Sequence, residues 1–251
     1  MRAHAKLTRS LRITGVRADG YHLIDAEMVS LDLHDVITIT PGRGIIASGP
    51  FAQGVPLDRS NLVSKALDLV GAAAHIAIDK QIPHGGGLGG GSTDAATVMR
   101  WAGMSTNEAD LARAGELGAD IPFCLVGGRA RVRGIGEIVE PLPHLEQTFT
   151  LVIPPLAVST PAAYRAWDDL GGPRADGPND LEPAALEVEP QLQQWRDAIG
   201  SRVGIAPTLA GSGATWFTEG EHQDALTDLV DEGATVVVAR AVPSDVAAHN
   251  A

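Results

Sequence analysis

Six of the seven residues at 85–91 are glycine, within the run Ile82-Pro83-His84-Gly85-Gly86-Gly87-Leu88-Gly89-Gly90-Gly91-Ser92-Thr93-Asp94-Ala95-Ala96. Glycine loses the most conformational entropy on folding and gives a core nothing to pack. No packing role accounts for so dense a cluster, so the segment reads as a turn whose backbone N–H groups approach a ligand closely. The apolar stretch 74–78 before it predicts a strand, and 92–101 after it predicts a helix, which puts the glycines at a helix N-terminus. That end carries unpaired N–H groups and a partial positive charge, and phosphate is the ligand it suits. Ser92 and Thr93 add hydroxyls able to cap the helix or to reach a phosphate-bound Mg²⁺. A flexible glycine linker is the plain alternative, but linkers lack a framing strand and helix.

The chain has 251 residues, 44% of them hydrophobic, enough for one large domain or two small ones with a substantial core. Its net charge of −12 argues against general nucleic-acid binding. An anionic small ligand therefore needs positive charge built locally. Arg2, Lys6, Arg9, Arg12 and Arg17 precede Tyr21 against a single acid, Asp19, and read either as that charge or as a solvated basic arm. The lone cysteine, Cys124, forms no internal disulfide and reads as a small buried apolar residue rather than a nucleophile. The start resembles no signal peptide, and no stretch approaches the roughly 20 apolar residues of a membrane span. A cytoplasmic protein without membrane or nucleic-acid partners is expected, as a monomer or weak homodimer.

Patterning along the chain predicts strands at 11–14, 28–33 and 36–40, forming an N-terminal antiparallel sheet. Gly15 to His22 forms a polar loop between the first two, displaying one aromatic ring and one imidazole. A helix is predicted from Ser60, its N-cap, to Gly71, and a second over 106–117 that ends just before Asp120. Strands follow at 129–132 and 137–140, and the Pro-rich 141–144 reads as a passage to a second unit. There the pattern gives strands at 149–153, near 208, at 215–218 and at 234–239, with helices at 161–170, 190–199 and 222–230. Helices stacked on antiparallel sheet make an α+β architecture, divided as 1–144 and 145–251.

Spacing separates the possible phosphate loops. A P-loop needs Lys directly before Ser or Thr, and Gly91 stands there instead. A dinucleotide fingerprint fits on paper through Gly85, Gly87 and Gly90, with Asp110 about 20 residues on. Asp110 falls in a helical pattern, however, and no strand follows the first helix.

The run 83–96 resembles the second motif of the GHMP kinases (galactokinase, homoserine, mevalonate and phosphomevalonate kinases), P-x-x-x-G-L-G-S-S-A-A. Its triple-glycine form resembles a branch of that superfamily whose acceptor is a cytidine-diphosphate-linked alcohol. Ala5-Lys6-Leu7 is similar to that branch's opening A-K-L-N, and Ala18-Asp19-Gly20-Tyr21-His22 to its substrate loop. Leu117-Gly118-Ala119-Asp120-Ile121-Pro122 is similar to L-G-A-D-V-P, Asn179-Asp180-Leu181-Glu182 to N-D-L-E, and Leu209-Ala210-Gly211-Ser212-Gly213-Ala214 to the third glycine motif. The resemblance covers nearly the whole chain.

It implies a two-domain GHMP kinase fold: an N-terminal α/β domain of a ribosomal-protein type and a C-terminal ferredoxin-like α+β sandwich. ATP and Mg²⁺ are the implied donor and metal. Pro83, His84, Gly85, Gly86, Gly87, Leu88, Gly89, Gly90, Gly91, Ser92 and Thr93 would hold the phosphates, Ser92 or Thr93 would contact Mg²⁺, and Asn61 and Lys80 would lie near the adenosine. Lys6 and Asp120 are the implied catalytic pair, the carboxylate orienting or deprotonating the acceptor hydroxyl and the ammonium offsetting charge on the transferring group. Taken alone, Lys6 reads as a surface lysine and Asp120 as a helix cap. Tyr21 and His22 would receive the cytosine ring, Thr160 would lie on the substrate side, and Thr8, a shorter hydrogen-bonding residue where the branch has Asn, would also contact the substrate. The chain is also shorter than the pattern before Ala74 and between Trp101 and Glu108. The alternatives are another GHMP small-molecule kinase, of homoserine or mevalonate type, and a fold member that binds nucleotide without turnover.

Overall fold

The computed structural model describes residues 1–83 and 85–244. In chain order it contains β1 (Arg2–Val16), β2 (His22–Thr40), β3 (Gly44–Ser48), α1 (Leu62–Val70), β4 (His75–Asp79), α2 (Gly90–Trp101), α3 (Glu108–Gly115), α4 (Ile121–Val126), β5 (Arg129–Gly134) and β6 (Ile138–Leu142). It continues with β7 (Thr148–Ile153), α5 (Thr160–Asp169), α6 (Glu182–Val188), α7 (Gln191–Val203), β8 (Thr208–Leu209), β9 (Trp216–Glu219), α8 (Thr227–Asp231) and β10 (Thr235–Arg240).

The first six strands form one sheet in the order β3-β4-β2-β5-β6, with β1 paired to β2. β2 is the spine. It pairs with β1 along nearly its whole length, with β5 through residues 24–29 and with β4 through residues 36–40. The second sheet runs β10-β7-β9-β8, with every neighbour antiparallel. The α+β class read from the sequence is what forms. No helix among the described residues is long and apolar enough to cross a membrane.

Four apolar groupings hold these layers, one of them Val63 and Leu67 of α1 and Val98 of α2 packed on Ile37, Ile45, Ile76 and Ile78 of the first sheet. Met99, Phe123 and Leu125 of α2 and α4 pack with Leu11, Met28 and Val132 of the first sheet. Trp216, Leu192 and Ile199 anchor the far side of the second. Between the sheets, Ala5, Leu7, Val29, Leu31, Ile82 and Leu88 meet Phe149, Leu151, Ile153, Ala210, Phe217 and Ala239 in one continuous cluster. A backbone bond reinforces that junction at the gap where β2 has left β5 and not yet reached β4: Val242 N–H, just beyond β10, donates to Ser30 O (2.9 Å).

Several elements differ from the pattern reading. β1 spans fifteen residues rather than four. β3, α4 and α6 were not anticipated, and α3 is shorter than 106–117. α1 is capped by Asn61, whose Oδ1 accepts from Val63 N–H (2.8 Å), while the Ser60 hydroxyl bonds Asp58 instead (2.6 Å). Pro141, read as part of a linker, lies inside β6, a position open to proline because β6 pairs only with β5.

Phe149 is fully buried in the cluster between the sheets and makes an edge contact with Phe217. Phe149→Ala should lower unfolding free energy by about 3–5 kcal/mol, read from urea titration.

Candidate active site

The glycine run forms a turn in which Gly85, Gly87 and Gly89 have φ of +79°, +75° and +70°, while Gly86 and Leu88 between them do not. Alternation of this kind turns successive N–H groups toward one concavity. α2 starts directly from it at Gly90, with Gly89 as its N-cap and no side-chain cap. The helix thus begins two residues before the predicted Ser92, and the N–H groups of its first turn are left to a ligand.

The glycines also answer to the protein itself, which corrects the view that packing has no part in them. A Cβ on Gly86 would lie 2.7 Å from Thr215 Oγ1, on Gly87 2.8 Å from Gly213 O, and on Gly89 2.7 Å from Lys6 Cγ. The first glycine turn is pressed between β1 and the turn 210–213.

A cleft of about 270 Å³ lies there, lined by Lys6, Thr8, Gly87, Ser92, Asp120, Thr160, Tyr164, Gly211 and Ser212 among others. Residues of β1, β2 and α5 and of the turns at 87 and 211–212, as far apart as 6 and 212, meet around it. Lys6 is 5% exposed, so it is no surface lysine; its Nζ donates to Thr8 Oγ1 (3.2 Å) and pairs with Asp120 Oδ2 (3.3 Å). Asp120 precedes α4 but its side chain makes no capping bond, and that side chain is 34% exposed toward the cleft. A carboxylate held by an ammonium at the mouth of a polar cleft can accept a proton from, or orient, a hydroxyl placed there.

The other predicted residues divide. Thr160, exposed at the start of α5, shares a hydrogen bond with Ser212 (2.8 Å) in the same cleft. Of the two candidate metal hydroxyls, Ser92 lines the cleft, whereas Thr93 is buried. Pro83 is buried before the turn, and His84 lies outside the described residues. Asn61 spends its amide on the backbone, accepting from Val63 N–H and donating to Pro56 O (2.6 Å). Lys80 is buried between Asp35 and Asp94, with Nζ 2.8 Å from Asp94 Oδ2. Both side chains are thus engaged by the protein itself, Asn61 at the start of α1 and Lys80 beneath the glycine turn. Tyr21 is 59% exposed on its loop, whereas the His22 side chain, expected on display, is 8% exposed. Its ring lies 4.7 Å from Tyr164 and edge-on to Trp167, and its Nε2 is 2.8 Å from Asp168. Of the basic N-terminal residues, Arg9, Arg12 and Arg17 are paired with Glu27, Asp180 and Asp19, which leaves Lys6 as the cation of that group in the cleft.

Tyr164 and Asp168 were missed, although Thr160, Tyr164 and Asp168 recur at the four-residue spacing of one helix face. Burial pushes the Cys124 thiol up to about 12, with Asp120 adding to the rise, consistent with an inert core residue.

A profile of the GHMP kinases N terminal domain matches residues 61–128. Over 235 residues the chain is 39% identical to the 4-diphosphocytidyl-2-C-methyl-D-erythritol kinase of Paracoccus denitrificans, covering 86% of this chain and 84% of that one. The chain belongs to the 4-diphosphocytidyl-2-C-methyl-D-erythritol kinase family. Its likeness to the member from Granulibacter bethesdensis is 36% over 262 residues, covering 90% and 86% of the two chains. A crystal structure of 4-(cytidine 5'-diphospho)-2C-methyl-D-erythritol kinase superposes with a TM-score of 0.76 at 29% identity, over 96% of this chain and 98% of that one. A mevalonate kinase of L. major superposes at 0.69 and 12% identity over 97% and 95%, a likeness of fold alone. The chain is thus a kinase of the GHMP fold.

Beneath this family's glycine turn, the Lys80 site holds two carboxylates against one ammonium. Burial pushes the Asp94 carboxyl up to about 7, with the Asp35 carboxylate adding and Lys80 opposing. The folded protein holds this proton more tightly than the unfolded chain does, so its stabilisation is complete below about pH 4 and fades as pH rises through 7. Wild-type stability should fall over that window relative to Asp94→Asn, whose profile should be flatter in urea titrations at successive pH values.

Proposed function

We propose that this chain transfers the γ-phosphoryl group of ATP to the 2-hydroxyl of 4-diphosphocytidyl-2-C-methyl-D-erythritol, giving the 2-phosphate and ADP in the non-mevalonate route to isoprenoid precursors. The observation that carries this reading is the Lys6–Asp120 pair, held at 3.3 Å in a cleft walled by two glycine turns. The assignment of roles is ours, as are the division into units at 1–144 and 145–251 and a cytoplasmic location.

Phosphoryl transfer asks a protein to cradle phosphates, offset their charge and aim the attacking hydroxyl. The N–H groups of residues 85–91 and the start of α2 cradle the donor. Lys6, already desolvated, places its positive charge where the transferring group gains negative charge. Asp120 accepts the acceptor's hydroxyl proton or orients that hydroxyl, and the neighbouring ammonium holds it in position. Thr8, buried beside Lys6, fixes the amine through its hydroxyl, which is work a shorter side chain than Asn can do. Tyr21 offers an open ring face for the cytosine and His22 a fixed imidazole, while Thr160 and Ser212 supply hydroxyls to the acceptor side.

The donor set suits Mg²⁺ in the way phosphate-bound Mg²⁺ is usually held, by few protein groups. Among the described residues no cluster of three His, Cys, Asp or Glu side chains forms a dedicated cage, and Ser92 is the hydroxyl at the cleft. When bound, Mg²⁺ offsets charge on the phosphate oxygens.

A coupled ADP-release assay with the cytidine diphosphate substrate, run beside mevalonate and homoserine, tests this directly: turnover is expected with the first alone. Asp120→Asn should reduce kcat by about 10²–10⁴-fold while ATP binding, followed by calorimetry, persists; retained activity would make Asp120 structural. Tyr21→Ala removes a stacking face worth roughly 1–3 kcal/mol and should raise KM for the cytidine substrate about tenfold or more. An effect on ATP alone would mean that the loop serves the donor.

A further inference from the structure

Asn179 and Asp180 are 1% and 2% exposed, although neither lines the cleft. Their segment docks on the edge of β1 that faces away from β2. Leu11 N–H donates to Pro178 O (2.9 Å), and Asp180 N–H donates to Leu11 O (2.9 Å). The Asp180 carboxylate then accepts from Ile13 N–H (3.0 Å), Ala175 N–H (3.1 Å) and Arg12 Nη1 (2.7 Å). Five residues along the same strand, Lys6 N–H donates to Leu88 O (3.0 Å) and so holds the first glycine turn. One strand thereby fixes two attachments about 16 Å apart.

Asn179 joins this edge to the third glycine motif. Its Nδ2 donates to Leu209 O (2.8 Å) and Gly211 O (2.7 Å), and its Oδ1 accepts from Leu181 N–H (2.9 Å). Both amide protons are used. The turn so held touches the chemistry on every side. A Cβ on Gly211 would lie 3.7 Å from Lys6 Nζ and 3.6 Å from Thr8 Oγ1. The carbonyls of Ala210 and Gly213 lie against Gly87, and Ser212 bonds Thr160.

We propose that Asn179 is a positioning residue for phosphoryl transfer: by pinning the third glycine turn to β1 it sets the gap between the donor turn at Gly87 and the acceptor side at Lys6, Thr8 and Thr160. This rests on the kinase reading given above. Transfer depends on reacting atoms held in near-attack geometry, so a displaced turn lowers the rate of chemistry more than it lowers affinity for either substrate. An aspartate at this position keeps the shape but turns carboxylate oxygens on two carbonyl oxygens, and a serine leaves one donor for two acceptors.

The test compares wild type, Asn179→Asp and Asn179→Ser by single-turnover rate, steady-state KM for both substrates, and thermal melting. The expected result is a single-turnover rate at least tenfold lower in Asn179→Ser, with both KM values within threefold of wild type and the protein folded at the assay temperature. Asn179→Asp, where it folds, should be slower still. A variant that melts earlier yet, while folded, reacts at the wild-type rate would overturn the proposal, as would a defect confined to KM for ATP. Wild-type protein that fails to turn over would instead refute the kinase reading, which the same experiment reports separately.

Discussion

The outer edge of β1 is the constraint on which the site depends. A strand bonded on one side only presents N–H and C=O groups that will pair with whatever chain approaches, a hazard that folded proteins must cover. Here the cover is functional: the Lys6 N–H takes the Leu88 carbonyl, and Leu11 takes Pro178 and Asp180. The donor-side glycine turn and the segment that holds the third glycine motif are registered to the same strand, at Lys6 and at Leu11, with Thr8 between them. Bulges at 4–6, 8–10 and 13–15 interrupt the regular pairing of β1 with β2 over this stretch.

Electrostatics then explains how a chain of net charge −12 accommodates a polyanion. Most of the nearby cations are already committed. Arg9 and Arg129 flank Glu27, where burial would raise the carboxyl but the two guanidiniums outweigh it and hold it low. Arg12 belongs to Asp180, and Lys80 to Asp35 and Asp94. What remains for a phosphate is the set of unpaired N–H groups at the start of α2 and the Lys6 ammonium.

The parts legible in the sequence were those whose residue types admit one use. The glycine turn, its strand and its helix could be read because spacing excluded the other phosphate loops, whereas Lys6 and Asp120, which alone read as a surface lysine and a helix cap, came from the family resemblance. β1 was legible in principle: Arg2, His4, Lys6 and Thr8 alternate with Ala3, Ala5 and Leu7, but alanine is a poor strand former and masked the period. α4 gives no helical period because all six of its residues are buried, and no polar face remains to mark it. Asn61 and Ser60 are both good caps, and only the fold assigns Asn61 to Val63 N–H and Ser60 to Asp58. Lys80 and His22 have protein partners that no local pattern reveals, for a shared reason. A polar side chain in a motif is read as facing a ligand, whereas its partners here, Asp35 at a distance of 45 residues and Asp168 at 146, come from elements no local pattern connects.

The junction between the sheets also limits how the site can adapt to its substrates. Six residues from each side share one apolar cluster, several of them fully buried, and the edge of β2 is bonded to Val242 across the same boundary. Rotating one sheet against the other would open that cluster and break those bonds at once, a cost of many times the roughly 1.5–3 kcal/mol recovered per buried apolar side chain. Hinge closure between the sheets is therefore excluded as the route to a competent site. Adjustment falls to segments outside the cluster: the loop at 17–21 that carries the exposed Tyr21, and 171–177, a loop held by single hydrogen bonds from Trp167, Arg12 and Asp180 and by backbone bonds at Gly171 and Gly172. The first carries Tyr21, and the second is bonded to Trp167, whose ring meets His22 edge-on. The donor side, fixed to β1 and to the buried Lys80 site, is built rigid, so specificity for the acceptor can change through these loops while the phosphate cradle stays as it is.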